Sequence, residues 1–141
     1  MKILFLCHGN ICRSPMAEFV MKDLLKKVGR TDVTVESAAL HTDEIGNDIH
    51  YGTRQKLTEM KVPFAPRAAW LLTAAKAREY DLLIGMDSYN IADLKSLVYP
   101  EDRAYLDEAL GDRITWFDEG AHCGYFYTTP FRDELLTRLA E

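Results

Sequence analysis

The sequence predicts an α/β fold: one domain over residues 1–141, with a central four-stranded parallel sheet and helices on both faces. Four short apolar or β-branched runs, at 3–6, 33–35, 82–84 and 113–117, alternate with segments whose apolar residues recur at helical spacing. That alternation is the pattern of a parallel sheet covered by crossover helices. A chain of 141 residues suits one domain with a sizeable core, and no repeat, linker or low-complexity segment divides it.

Each element has its own reason. Ile3-Leu4-Phe5-Leu6 is an uninterrupted apolar run and reads as a buried strand. Pro15 suits the first position of a helix carrying Ala17, Val20, Met21, Leu24 and Val28 on one face, with Gly29 as its C-cap. Val33-Thr34-Val35 is a short strand leading into Ser37-Ala38-Ala39, and the polar stretch 40–48, with Gly46 and Asn47, is a loop. Ile49, Thr53, Leu57 and Met60 fit one face of a second helix that Val62-Pro63 terminates. A short helix or turn near Thr73–Glu79 precedes the strand Leu82–Ile84. Asp87 or Ser88 then caps a helix carrying Ile91, Leu94, Leu97 and Val98, which Pro100 stops. Arg113–Phe117 is the last strand, and Phe131, Leu135, Leu136 and Leu139 stripe a closing helix. In such a sheet the ligand sits beyond the carboxyl ends of the strands, where residues 7–14 fall.

Composition removes several function classes. A net charge of −5 argues against a nucleic-acid partner, which requires a basic face. No apolar run approaches the roughly 20 residues of a membrane span, and the N-terminal apolar stretch is too short for a signal peptide. Three cysteines, Cys7, Cys12 and Cys123, do not make a secreted disulfide framework, so a cytoplasmic location is expected. The four histidines, His8, His41, His50 and His122, show no metal-ligand spacing.

The stretch Cys7-His8-Gly9-Asn10-Ile11-Cys12-Arg13-Ser14-Pro15 joins the first strand to the first helix. Loop amides and the positive end of a helix attract anions, and the same field favours a thiolate at Cys7 on the cradle's floor. A cysteine at a strand end is, taken alone, more often a small buried hydrophobe. The arginine six positions on and the glycine between them reverse those odds. Arg13 offers a planar fork of donors matched to two phosphoryl oxygens. Gly9 lets the backbone approach a ligand, and Asn10 tolerates a left-handed turn. Ser14 either donates to the Cys7 sulfur or acts as a plain N-cap. His8 borders the cradle and adds positive potential when protonated, or is a solvated loop residue.

The line Cys7-x5-Arg13-Ser14, written CHGNICRSPMAE, with Ser37-Ala38-Ala39, Glu44-Ile45-Gly46-Asn47 and Ile84-Gly85-Met86-Asp87, resembles the low-molecular-weight protein tyrosine phosphatases over roughly residues 1–98. The resemblance implies hydrolysis of phosphotyrosine through a cysteinyl-phosphate on Cys7, with His8, Gly9, Asn10, Ile11, Cys12, Arg13 and Ser14 around the phosphoryl group and Ser37 helping Asn10 shape the loop. It implies no cofactor and no metal, because Arg13 and the loop amides supply the positive charge. The partner is a phosphotyrosine protein or a small aryl phosphate. In the family, isoleucine at the position of Ile11 accompanies phosphotyrosine, and threonine there accompanies phosphoarginine. A second cysteine at the position of Cys12 can form a reversible disulfide with the nucleophile; a small loop side chain without a redox task is the other reading.

Departures from the pattern lie mainly late in the chain. The family's general acid is an Asp-Pro followed by aromatics, and this sequence contains no Asp-Pro. Asp118 is the nearest analogue, with Asp112 and Glu119 as rivals. The family's His-x-Ala-Arg segment appears as Pro66-Arg67-Ala68-Ala69, so its arginine is missing at Ala69. The aromatic that walls the pocket before Glu44 is Asp43, with Trp70 or Tyr51 as substitutes. Two other readings stay open: an arsenate reductase, which shares the fold and the thiol chemistry, and a non-catalytic phosphate-binding relative that lost its acid, which the altered C-terminal third motivates.

Overall fold

Burying Ile3, Leu4, Phe5 and Leu6 completely contributes about 1.5–3 kcal/mol per side chain, and a strand with both faces covered is the way to bury all four. In the computed structural model, which describes residues 1–98 and 114–116, this segment is the inner strand β1 (Lys2–Cys7). It is followed by α1 (Arg13–Lys27), β2 (Thr34–Ala39), α2 (Tyr51–Glu59), α3 (Ala74–Ala77), β3 (Leu82–Gly85), α4 (Ser88–Val98) and β4 (Ile114–Trp116). The four strands pair in parallel in the order β2-β1-β3-β4. The chain reverses its direction of winding between β1 and β3, the place where open α/β sheets bind ligands.

Alternation along β1 sorts the core into two layers. Ile3, Phe5 and Cys7 face a cluster with Met16, Val20 and Met21 of α1 and Leu57 of α2. Leu4 and Leu6 face the other cluster, with Ala77 of α3 and Leu94 of α4. The helices therefore cover both faces.

Local outcomes differ from the sequence expectation in instructive ways. Helix α1 begins at Arg13, so Pro15 is its third residue, still within the first turn where a missing N–H costs no bond. Its C-cap falls on Val28, one residue before the expected Gly29, which takes the left-handed position just beyond: Gly29 has φ +71°, its N–H reaches the Lys26 carbonyl and the Arg30 N–H the Leu25 carbonyl, a Schellman closure. Val28 is exposed. Strand β2 is longer than Val33–Val35 and contains Ser37-Ala38-Ala39, because register with β1 continues to Cys7↔Ala39. In α2 only Thr53 and Leu57 are buried, with Ile49 buried just ahead of the helix and Met60 exposed. This helix is stopped by Lys61, at φ +55°, rather than by Pro63. The Lys61 N–H meets the Thr58 carbonyl and the Val62 N–H the Leu57 carbonyl, repeating the closure of α1 with a lysine in the left-handed position. Asp87, of the two candidates, caps α4 by accepting from the Asn90 N–H at 2.8 Å. Pro100 and the expected closing helix lie outside the described residues.

Candidate active site

Strand β1 delivers Cys7 to the carboxyl edge of the sheet, and residues 8–12 curl from there into α1. The Cys7 side chain is buried. Its Sγ receives the Asn10 N–H at 3.3 Å and lies 3.0 Å from Ser14 Oγ. Asn10 adopts φ +58°, the left-handed turn its residue type tolerates, and this turn aims its amide back at the sulfur.

A buried chain of hydrogen bonds fixes that turn. Asn10 Nδ2 donates to Ser14 Oγ at 2.8 Å and to Ser37 Oγ at 2.9 Å, and Ser37 Oγ donates onward to Glu18 Oε2 at 2.5 Å. Ser14 thus accepts from Asn10 and keeps its own hydrogen for the sulfur. The N-cap position of α1 belongs to Cys12, which makes no side-chain cap bond, so Ser14 is not the N-cap. Cys7 and Cys12 are both thiols, the first buried and the second half-buried.

The segment that lacks an arginine at Ala69 carries Arg67, and this side chain reaches the cradle. Arg67 Nη2 donates to Asn10 Oδ1 at 2.6 Å and to the Ser37 carbonyl at 3.2 Å, while Nη1 donates to the Asn10 carbonyl at 3.3 Å. Burial pushes the Arg67 pKa down, opposed by the charges of Glu18, Cys7 and Asp48, and a guanidinium stays charged regardless. Two backbone clasps bring Arg67 within reach: Gly46 N–H to the Ala69 carbonyl and Ala69 N–H to the Asn47 carbonyl. Asp48 Oδ1 accepts from the Arg67 N–H at 3.1 Å.

Arg13 pairs with Asp87 rather than with Glu18: Nη1 meets Oδ2 at 2.5 Å. Asp87 therefore does two things at once, capping α4 and orienting the guanidinium, and among the described residues the other Arg13 donors meet no side-chain acceptor. Burial alone would raise the Asp87 carboxyl. The Arg13 hydrogen bond, the Asn90 amide and the Arg13 charge outweigh it and hold the group below its ordinary value.

The rim is built by residues 40–50. The Leu40 N–H reaches the carbonyls of Cys7 and His8, the His41 N–H reaches that of His8, and the His50 N–H reaches that of Ile11. A Cβ at Gly9 would stand 2.9 Å from Glu44 Cγ, so the close approach that needs a glycine here is that of Glu44. His8 Nε2 lies 2.8 Å from Asp43 Oδ2, and Asp43 is held below the ordinary carboxylate range chiefly by that bond. Ile11 is half-buried beside the start of α2. Tyr51 is exposed and packs on His50, whereas Trp70 packs on the core cluster of Leu4 and Leu6. The structure thus brings Asn10 and Ser14 to the Cys7 thiol, with Ser37 one hydrogen bond further out on Asn10. His8, Gly9, Ile11 and Cys12 lie in the same loop, and Arg13 at the start of α1 is held by Asp87. Asp118, Asp112 and Glu119 lie outside the described residues.

Comparison with known proteins shows which family the chain resembles. The family model described as "Low molecular weight phosphotyrosine protein phosphatase" matches residues 2–110, past the point near 98 where the motif resemblance ends. The protein-tyrosine-phosphatase YfkJ of Bacillus subtilis is 34% identical over 109 residues, 77% of this chain and 70% of the relative. PtpA of Staphylococcus aureus is 35% identical over 95 residues, 67% of this chain and 60% of its own length. Among solved structures, SP-PTP, a low molecular weight protein tyrosine phosphatase from Streptococcus pyogenes, superposes with a TM-score of 0.78 at 32% identity, covering 98% of this chain and 92% of its own.

Proposed function

The chain belongs to the low molecular weight phosphotyrosine protein phosphatase family, and from that premise we propose that it hydrolyses phosphotyrosine through a phosphocysteine formed on Cys7. The observation that carries the proposal is the thiol with two donors aimed at it, the Asn10 amide at 3.3 Å and the Ser14 hydroxyl at 3.0 Å, beneath a loop that ends in Arg13. In the first step the Cys7 thiolate attacks phosphorus and the bond from phosphorus to the tyrosyl oxygen breaks. The loop amides and Arg13 take the charge on the three phosphoryl oxygens, and a carboxylic acid protonates the leaving oxygen. In the second step that carboxylate removes a proton from water, which attacks phosphorus. The sulfur leaves as thiolate, eased by Ser14, and inorganic phosphate is released.

Asp118 is the proposed acid. Strand β4 runs parallel to β1, and Asp118 and Glu119 follow it in sequence whereas Asp112 precedes it. Half-buried Ile11 favours an aryl ring over a guanidinium, whose donors it would leave unpaired, and so supports phosphotyrosine as substrate. Asp43 on the rim disfavours strongly acidic peptides around the phosphotyrosine. Replacing Cys7 by serine should abolish turnover of an aryl phosphate while vanadate still binds. Unchanged turnover in Cys7→Ser would overturn the proposal.

A further inference from the structure

We propose that His8, His41 and Asp43 form a binding site for a divalent transition-metal ion of the zinc class at the rim of the cradle. One donor atom from each of the three lies within 4.8 Å of the other two. Spacing along the chain hides the cluster, because the loop after β2 folds back over the end of β1 to assemble it. The assembly is held by the backbone: the Leu40 and His41 N–H groups both donate to the His8 carbonyl, at 3.2 and 3.0 Å. That clamp stacks the two imidazoles with centroids 4.1 Å apart and planes 14° from parallel.

The donor set is two imidazoles and a carboxylate, which leaves a fourth tetrahedral position open to water or a phosphoryl oxygen. His41 carries the outer partner that metal-binding imidazoles usually have: its Nε2 lies 2.8 Å from Asp93 Oδ2 in α4, which fixes the ring and leaves Nδ1 to offer a lone pair. Bonds of about 2.0–2.2 Å to a tetrahedral ion require donors roughly 3.4 Å apart. A pair of donors at the 4.8 Å limit must therefore close by about 1.4 Å. The stacked rings hold their in-plane lone pairs nearly parallel, so His8 must also swing its ring out of the stack to aim at the same ion. His8 and Asp43 can supply these movements, since their side chains are 54% and 63% exposed. The His8–Asp43 contact would then be exchanged for two bonds to the ion, and the charge at the rim would change from that of an aspartate to net positive. Imidazole with carboxylate suits zinc, cobalt or nickel better than magnesium or calcium, which prefer all-oxygen sets.

The experiment is titration of the full chain with Co2+ alone, followed by absorption spectroscopy and calorimetry, with turnover playing no part. The expected result is one equivalent bound with ligand-field bands of a nitrogen and oxygen site, and affinity reduced at least about tenfold in His41→Ala and in Asp43→Asn. Asp93→Asn, which keeps the fold and all three ligands, should weaken binding less. The idea is overturned if the parent binds no Co2+, or if the spectrum shows intense sulfur-to-cobalt charge transfer that persists in His41→Ala, which would assign the ion to Cys7 or Cys12. Because phosphatase activity is not the readout, this result is independent of the proposed reaction.

Discussion

At the scale of single residues, the thiol depends on a relay whose members can be removed one at a time. Ser14 touches the sulfur at 3.0 Å and takes part again when the sulfur leaves phosphorus. A hydrogen bond to a charged group is worth about 1.5–3 kcal/mol, so Ser14→Ala should lower kcat roughly 10- to 100-fold. KM should change little. Rapid-quench measurement of the phosphocysteine should show slower breakdown, and a kcat within twofold of the parent would remove Ser14 from the mechanism. Arg67 touches neither sulfur nor phosphate and is a positioning residue. Arg67→Met leaves Asn10 Oδ1, the Asn10 carbonyl and the Ser37 carbonyl without their donor. A destabilisation of about 1–3 kcal/mol is expected for such unsatisfied groups, read as a lower urea midpoint. A purely structural role would stop there. A role in shaping the cradle also weakens inhibition by inorganic phosphate, and Arg67→Lys, with one compact charge, should recover only part of it.

At the scale of elements, two helix ends separate charge from geometry. Asp87 caps α4 and pairs with Arg13, and asparagine caps about as well as aspartate. Asp87→Asn therefore keeps the cap and removes the ion pair. The folded Asp87 carboxyl sits below its unfolded value, so it contributes stability above the ordinary aspartate range near pH 4, and that contribution is lost as pH falls through the lower folded value. Urea midpoints measured from pH 6 down to about pH 2.5 should fall less steeply in Asp87→Asn than in the parent; parallel curves would contradict the pairing. At the end of α2, Lys61 occupies a left-handed conformation that costs a side-chain-bearing residue about 1 kcal/mol. Lys61→Gly should raise the melting temperature by about 3 °C, with no effect on turnover. These elements also show what periodicity and turn chemistry reveal and what they miss. The apolar run of β1, the stripe of α1 and Gly29 were legible because each acts through local sequence. Lys61 was not, since nothing in its residue type announces a positive φ. Ser14 was ambiguous until Cys12 proved to hold the cap position. Arg67 and the Asp43–His8–His41 cluster depend on loop clasps that no local pattern encodes.

At the scale of the whole molecule, one sheet edge must hold both the nucleophile and whatever protonates the leaving group. Register runs Leu6↔Gly85 and Gly85↔Trp116, so β1, β3 and β4 end level with one another. The chain thus leaves β4 at the edge that carries Cys7, and in sequence Asp118 comes two positions after Trp116. An acid supplied there should matter in proportion to how badly the leaving group needs a proton. General acid catalysis contributes about 10²- to 10⁴-fold. Asp118→Ala should therefore cut kcat/KM by that order for phosphotyrosine but far less for a nitrophenyl phosphate, whose oxygen leaves readily as an anion. The pH profile gives the second readout. An acid works only while protonated, so the parent loses activity on the basic limb, and Asp118→Ala should lose that limb altogether. Equal effects on the two esters would mean that the substitution damaged the cradle, in which case inhibition by vanadate would weaken as well. An unchanged profile on both esters would exclude Asp118, and Glu119→Gln, the other carboxyl after β4, should then produce the ester-selective loss.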